Sequence, residues 1–277
     1  MLLAACARPG IGNAELDTMW DDIAADGGMR EDYAPADAPF SNDDLVRNFV
    51  RVAFFSEFSR EDGAFVERRD EVALHRWQAP IRVLPVFGRG VAETRRAGDR
   101  ADLADFVARL SRVTGHPMTM VEGNWADGDI LVLFADAQGR RRFADTLEQL
   151  DPGIDPFLLE DLRGDLFGVP CAFYPFIDAG TSVISFAIVV IRDEMRQDIR
   201  YSCIHEEMAQ VLGLGNDHPD VRPSIFNDDE EFILLTEHDE YLLRMLYDPA
   251  LSPGITLEEA RPLLRPIIDR LRPEGAE

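Results

Sequence analysis

The run Cys203-Ile204-His205-Glu206-Glu207-Met208-Ala209-Gln210-Val211-Leu212-Gly213-Leu214-Gly215-Asn216-Asp217 decides how the rest of the chain is read. At about 100° per residue, a helix places Ile204, Met208, Val211 and Leu212 on one face. Glu206, Gln210 and Gly213 fall on the opposite face, with Glu207 at its margin. Gly213 and Gly215 are residues that let a helix stop and the chain reverse. The reversal is expected to carry Asn216 and Asp217 back toward the polar front. One helix thus has an apolar back, a polar front and a glycine turn.

This run resembles the signature of zinc peptidases of the metzincin group, and of the matrixin branch in particular. Those enzymes use His-Glu-x-x-His-x-x-Gly-x-x-His, in which two histidines one helical turn apart face the ion and the Glu activates its water. One register fits every structural position. Glu206 takes the first ligand place, Glu207 the general-base place, Gln210 the second ligand place, Gly213 the turn and Asn216 the third ligand place. Downstream, Ser224-Ile225-Phe226 is placed like the Ser-Ile-Met of the metzincin Met-turn. Leu235-Thr236-Glu237-His238-Asp239, with Leu243 and Leu246-Tyr247, is similar to the last matrixin helix. The likeness covers roughly residues 180–250. The whole chain also resembles a bacterial lipoprotein family whose motif is Glu-Glu-x-x-Gln-x-Leu-Gly-Leu-x-Asn-Asp and whose domain is of unknown function.

The departures matter as much. None of the three His ligands is present in that register. A register beginning at His205-Glu206 puts Ala209 at the second ligand place and fails too. His205 and His218 fit no standard zinc spacing. Zinc prefers imidazole and thiolate, whereas Glu, Gln and Asn offer oxygens that suit hard ions such as calcium. The resemblance therefore implies no conventional zinc site and no assigned metal ligand. A calcium-type ion on oxygen ligands is one metal alternative, and a zinc site of non-standard spacing using His205 and His218 is a remote other.

Composition bounds the rest. The 277 residues suffice for one large domain or a domain with a second lobe. The formal charge is −24, from 52 acidic and 28 basic residues, and every basic residue is Arg. Such acidity argues against nucleic acid, whose binding draws on phosphate neutralisation, and against docking on anionic lipid heads. Leu3-Ala4-Ala5-Cys6 reads as a bacterial lipobox, with Cys6 the lipidated residue. The preceding segment is shorter than a signal peptide and lacks a basic n-region, so the coding start is expected upstream. A lipid anchor at Cys6 places the domain on the periplasmic side of a bacterial membrane. In that oxidising compartment Cys171 and Cys203 are expected to pair; buried free thiols are the alternative. No later stretch has the roughly 18 consecutive apolar residues of a transmembrane helix.

Along the chain, residues 7–40 read as a disordered acidic tether, broken by Gly27-Gly28 and the Pro35 to Pro39 segment. Residues 41–272 read as one α+β, zincin-like domain: a mixed twisted sheet packed on helices, an N-terminal lobe 41–215 and a mostly helical C-terminal lobe 216–272. Ser41 with Asp44 marks a helix start, followed by the stripe Leu45, Phe49, Val52 and Ala53. Residues 81–87 and 130–134 read as strands, 118–122 as another, and Leu103, Phe106, Val107 and Leu110 as the face of a helix closed by Gly115. Residues 151–168, rich in Pro and Gly, read as a loop overhanging the site. Residues 181–192 are the strongest strand, apolar on both faces, and the resemblance implies that they form the edge strand that binds substrate. Residues 227–231, Asn-Asp-Asp-Glu-Glu, are either a solvated face or an oxygen-rich cation site. Thr256 and Glu259 form a capping box for a last helix.

Three functions fit these residues. The first is a degenerate peptidase domain that binds a peptide or an envelope partner in the cleft, through Glu206, Gln210, Asn216, Asp217 and His205. The second is an active hydrolase with Glu207 as base and an atypical ion or none. The third is a purely structural envelope lipoprotein.

Overall fold

The computed structural model describes residues 13–273 except 62, 63, 165 and 228. Those residues form eight α-helices and seven strands, and the α+β class expected from the sequence is the class observed. Helix α1 (Asn13–Ala25) and α2 (Asn42–Ala53) are followed by a hairpin of β1 (Phe55–Glu61) and β2 (Ala64–Glu71). The main sheet contains β3 (Ile81–Phe87), β4 (Met118–Met120), β5 (Ile130–Ala135), β6 (Cys171–Ile177) and β7 (Ile184–Arg192). Helix α3 (Glu93–Thr114) connects β3 to β4; α4 (Ala137–Leu150) and α5 (Pro156–Arg163) connect β5 to β6. The motif helix α6 (Gln197–Gln210) follows β7 directly, and α7 (Glu237–Leu246) and α8 (Leu257–Leu271) end the domain.

The sheet order is β4-β3-β5-β7-β6. All neighbours run parallel except β6, which is antiparallel to β7 at the edge. Parallel strands need cover on both faces, and the apolar runs of β5 and β7 supply it. Ile130, Val132, Phe134, Ala187, Val189 and Ile191 enter the main core with α3 and α6. Leu131, Leu133, Ala135, Ile188 and Val190 enter a second core under α4 and α5.

Four expectations change here. The strand expected at the edge, β7, is interior, held between β5 and β6; β6 carries the edge instead, because its antiparallel pairing from Cys171 to Ile177 occupies the side of β7 that would otherwise be free. The segment 151–168 does not overhang the motif helix. Its Pro and Gly bracket helix α5, whose Leu158, Leu159 and Leu162 bury against the opposite face of the sheet. The two lobes share one core: Leu45 and Phe49 of α2 pack in the same cluster as Leu242, Leu246, Leu264 and Ile268 of the last helices. Burying the apolar stripe of α2 requires those helices, so the boundary at 215/216 is not a division of the core. Finally, residues 13–40 are not a free tether. Trp20 is 3% exposed in the main core. Met29 and Arg30 N–H donate to the carbonyls of Glu230 and Glu231 at 2.8 and 2.7 Å. Met19, Trp20 and Ile23 give a short apolar stripe, and burial of one Trp outweighs the acidic composition around it. Cys6 lies outside the described residues. No described helix is long and apolar enough to cross a membrane.

Candidate functional site

The motif helix is fixed from three sides before any function is considered. At its first turn, Arg200 and Asp99 of α3 form a buried ion pair, with both Arg200 Nε and Nη2 donating to Asp99 Oδ1 at 3.2 and 2.9 Å. In its middle, Cys203 is disulfide-bonded to Cys171 at the start of β6, with Cα atoms 5.9 Å apart, as the cysteine positions led us to expect. At its end the carbonyls left without an intrahelical partner are met by side chains. Trp77 Nε1 donates to Val211 O at 2.9 Å and the Tyr247 hydroxyl to Leu212 O at 3.2 Å. Burial pushes the Tyr247 hydroxyl well above its ordinary range, which keeps it a donor.

The glycine turn then reverses the chain. Gly213 has φ +126° and lies against the His75 carbonyl, so that any Cβ would press into that oxygen. Gly215 brings the returning chain against Phe173 of β6, where a Cβ would lie 3.3 Å from Phe173 Cζ. Beyond it, Ser224-Ile225-Phe226 forms a buried turn held by one carboxylate. Asp239 Oδ1 accepts from Ser224 Oγ at 2.5 Å, and Oδ2 accepts from the backbone N–H of Ile225 and Thr236, each at 3.0 Å. Asp239 is also the third residue of α7, in a capping box with Thr236. The same carboxylate thus starts the helix and pins the turn.

The candidate residues separate into two groups. Glu206, Glu207 and Cys171 come together: a carboxylate oxygen of each Glu and the Cys171 sulfur lie within 4.8 Å of one another. One turn on, Gln210 Nε2 donates to Asp217 Oδ1 at 2.8 Å, so the reversal does return Asp217 to the polar front. Glu207 and Gln210 are nearly buried, and Glu206 and Asp217 are half-buried. The front is therefore a short row of oxygens along α6, beside the edge strand.

Asn216 and His205 leave that row. Asn216 is fully buried and turned to α2, where its Nδ2 donates to Arg51 O at 2.7 Å and its backbone N–H to Val52 O at 3.3 Å. It completes the end of α2, and that demand outcompetes a third ligand place. His205 points away from the front into the core. It stacks on Phe106 with ring centroids 4.0 Å apart, and its Nδ1 accepts the Leu235 N–H at 3.1 Å. Burial, with the nearby Arg109 charge, lowers its pKa to about 3, so it is neutral at ordinary pH. Correspondingly, the expected convergence of Glu206, Gln210 and Asn216 is incomplete. The two ends of the acidic run are built into structure: Asn227 Nδ2 donates to Pro219 O and Val221 O at 3.2 and 3.0 Å, and Glu231 pairs with Arg30 and Arg222.

Chemically, the row offers carboxylate and amide oxygens. The Cys171 sulfur beside it is oxidised, and a disulfide lacks the thiolate that binds metal. Such oxygens suit a hard cation or cationic side chains far better than zinc.

A family model for a protein of unknown function, DUF2927, matches residues 42–266 of this sequence. The chain belongs to the DUF2927 family. The match spans α2 through most of α8, so the DUF2927 unit contains both the sheet and the helices around the motif. No curated protein matches the sequence. The DUF2927 assignment is what the Glu206-Glu207-x-x-Gln210 motif pointed to at its coarsest, a domain family of unknown function.

Four features of this DUF2927 chain were not anticipated from sequence: the caps by Trp77 and Tyr247, the Asp99–Arg200 pair and the double duty of Asp239. The last had a visible signal, since Thr236 and Asp239 have capping-box spacing. The others join residues far apart in the chain, and no local spacing marks them.

Proposed function

We propose that this DUF2927 protein is an envelope lipoprotein whose zincin-like domain binds an extended segment of a partner between β6 and the polar front of α6, without conventional zinc chemistry. The zincin-like reading is supported by the mixed sheet that leads straight into the motif helix, the Gly213 reversal and the buried Ser224-Ile225-Phe226 turn. The anchor reading is supported by Leu3-Ala4-Ala5-Cys6.

One observation carries the proposal: among the described residues no strand pairs with the outer edge of β6, beside the carboxylate row. Arg192 N–H donates to Pro170 O at 3.0 Å, and antiparallel pairs alternate. With Cys171 opposite Ile191, Cys171, Phe173 and Pro175 turn their backbone groups outward. Pro175 has no N–H and limits further pairing. The unpaired stretch is therefore short, Cys171 to Phe173, next to Glu206 and Glu207; Cys171 is 4% exposed, so a partner would meet half-buried Phe173 first. An added strand would take its affinity from main-chain hydrogen bonds and its preference from the side chains beneath. Those side chains are acidic, so the preferred segment is basic.

Titration with a capped synthetic peptide alternating Arg and Val, followed by amide hydrogen exchange, tests this reading. Slower exchange at Cys171 and Phe173, weakened by salt and absent with a Glu–Val peptide, is expected. Equal binding of both peptides, or protection elsewhere only, refutes it. Peptide hydrolysis lost specifically in Glu207→Gln would replace it with the hydrolase reading. Unchanged membrane partitioning of Cys6→Ser, expressed with its upstream sequence, would remove the anchor.

A further inference from the structure

We propose that a cavity of about 450 Å³ at the end of α7 is a binding site for a small planar monocarboxylate, with Arg76 as the residue that takes the carboxylate. The inference is independent of peptide binding at the β6 edge. The cavity lies where three connecting segments meet: Arg76 to Gln78 before β3, His116 before β4, and Tyr247 and Pro249 after α7. Its size is in the range of small-molecule sites, about 300–1,000 Å³.

Arg76 carries a charge that the scaffold leaves without a counter-charge. Its Nη1 donates to Leu246 O and Asp248 O at 2.7 and 3.2 Å, closing the end of α7. Its Nε is buried and has no hydrogen-bond partner among the described residues. Two carbonyl dipoles offset less than a full charge, and the carboxylate of neighbouring Asp248 is paired with Arg270 instead. The contrast with other arginines shows in their titration. Burial lowers the Arg76 pKa, whereas carboxylate partners raise those of Arg82, Arg163 and Arg222. A bound carboxylate would supply the missing charge through the guanidinium fork.

The other walls indicate what accompanies the carboxylate. The Tyr247 hydroxyl is spent on Leu212 O, so the ring is what Tyr247 offers. Arg76 Cζ lies 5.6 Å over that ring, and the His116 ring packs beside it with centroids 5.0 Å apart. Two rings and Pro249 suit a flat apolar body. The formal charge of −24 repels anions, and more so the more charge they carry, so one carboxylate fits better than a phosphate. The walls are also fixed in advance. Ile184 N–H donates to Arg76 O at 3.1 Å, and Trp77 Nε1 to Val211 O at 2.9 Å, so binding orders little.

Titration of the full-length protein with sodium benzoate, followed by the histidine ring signals in NMR, tests the site. One-site saturation is expected, in which the His116 signals move and those of His205, stacked on Phe106, do not. Benzoate should bind at least about tenfold more tightly than benzamide, its neutral analogue, and more tightly than inorganic phosphate. Absence of saturation, equal binding of benzoate and benzamide, tighter binding of phosphate, or saturation that leaves His116 unmoved overturns the proposal. Arg76→Met should abolish binding in protein whose circular dichroism is native. Because that change also removes a cap of α7, exposed Gln78 supplies an independent variant. Gln78→Glu sets a negative charge at the rim and should weaken benzoate about three- to fivefold without disturbing the fold. Unchanged affinity in Gln78→Glu, or in folded Arg76→Met, overturns the proposal.

Discussion

The end of the motif helix and its front are neighbours in sequence, yet they answer to different constraints. At the end, four groups are committed to the scaffold. Val211 and Leu212 carbonyls are capped, Asn216 closes α2, and Asp239 holds the turn beyond. At the front, Glu206, Glu207, Gln210 and Asp217 form a row at the margin of the sheet, where Gln210 and Asp217 bond to one another. The difference teaches that neighbouring polar residues can answer to separate demands. The turn serves the fold, through Gly213 against the His75 carbonyl; the row, on the function proposed above, serves a binding partner.

Gly213→Ala should break the scaffold side of this comparison most severely. It adds a Cβ where φ is +126° and where the His75 carbonyl already fills the space. Backbone of His75 cannot retreat without dragging Trp77, the cap of the same turn. We expect a loss of more than about 4 kcal/mol, or no soluble product, in urea unfolding. A variant with near-normal stability would show that the turn is adaptable and that the fold does not depend on glycine there.

Asp239→Ala should come next. It leaves the Ser224 hydroxyl and the N–H groups of Ile225 and Thr236 without their acceptor inside a sealed core. Buried orphan donors cost about 1–3 kcal/mol each, and their losses overlap at one site, so we expect about 3–5 kcal/mol by denaturant titration. A cost below about 1 kcal/mol would mean that the turn does not need its carboxylate.

His205 gives a pH-dependent comparison. Its folded pKa, about 3, is far below that of an exposed histidine. The unfolded chain therefore binds a proton that the folded chain refuses, and stability falls as pH drops through the unfolded value of about 6.5. Between about pH 7 and about pH 5 the contribution lost is about 2 kcal/mol. Denaturant midpoints across this range should fall in the parent chain and flatten in His205→Gln. The same slope in both would mean that His205 is not the residue responsible.

These cases also show what the sequence could disclose. The sheet and helices were legible because burial imposes periods: β5 and β7 alternate between two cores, and α2 carries a stripe that begins at a capping box. Gly213 was legible because left-handed backbone selects glycine. The edge position was not legible, since an interior and an edge strand of this composition read alike until pairing is known. The directions of His205 and Asn216 were not legible for one reason: a polar residue near a motif is claimed equally by solvent, ligand or core. Which wins depends on partners distant in sequence, here Phe106, Leu235 and Arg51. Trp20 was lost in an acidic, glycine-containing stretch whose average composition hides one anchoring side chain.

The smallest effect on stability should come from the front itself, and that smallness is the informative result. Glu206 is half-buried on the outer side of α6, and replacing it by Gln preserves volume while removing one negative charge beside Glu207. Partly exposed charges of this kind change stability by no more than about 0.5 kcal/mol. Relief of repulsion within the pair acts in the stabilising direction. Binding of a basic strand, however, should weaken about two- to fivefold, the equivalent of up to about 1 kcal/mol for one screened charge pair. Added salt should shrink the difference between parent and variant. Calorimetric titration of both proteins with the Arg–Val peptide, alongside urea unfolding of each, separates the two quantities. If Glu206→Gln instead destabilises the fold as Asp239→Ala does and leaves peptide affinity untouched, the front belongs to the scaffold like the helix end, and the contrast between the two regions disappears.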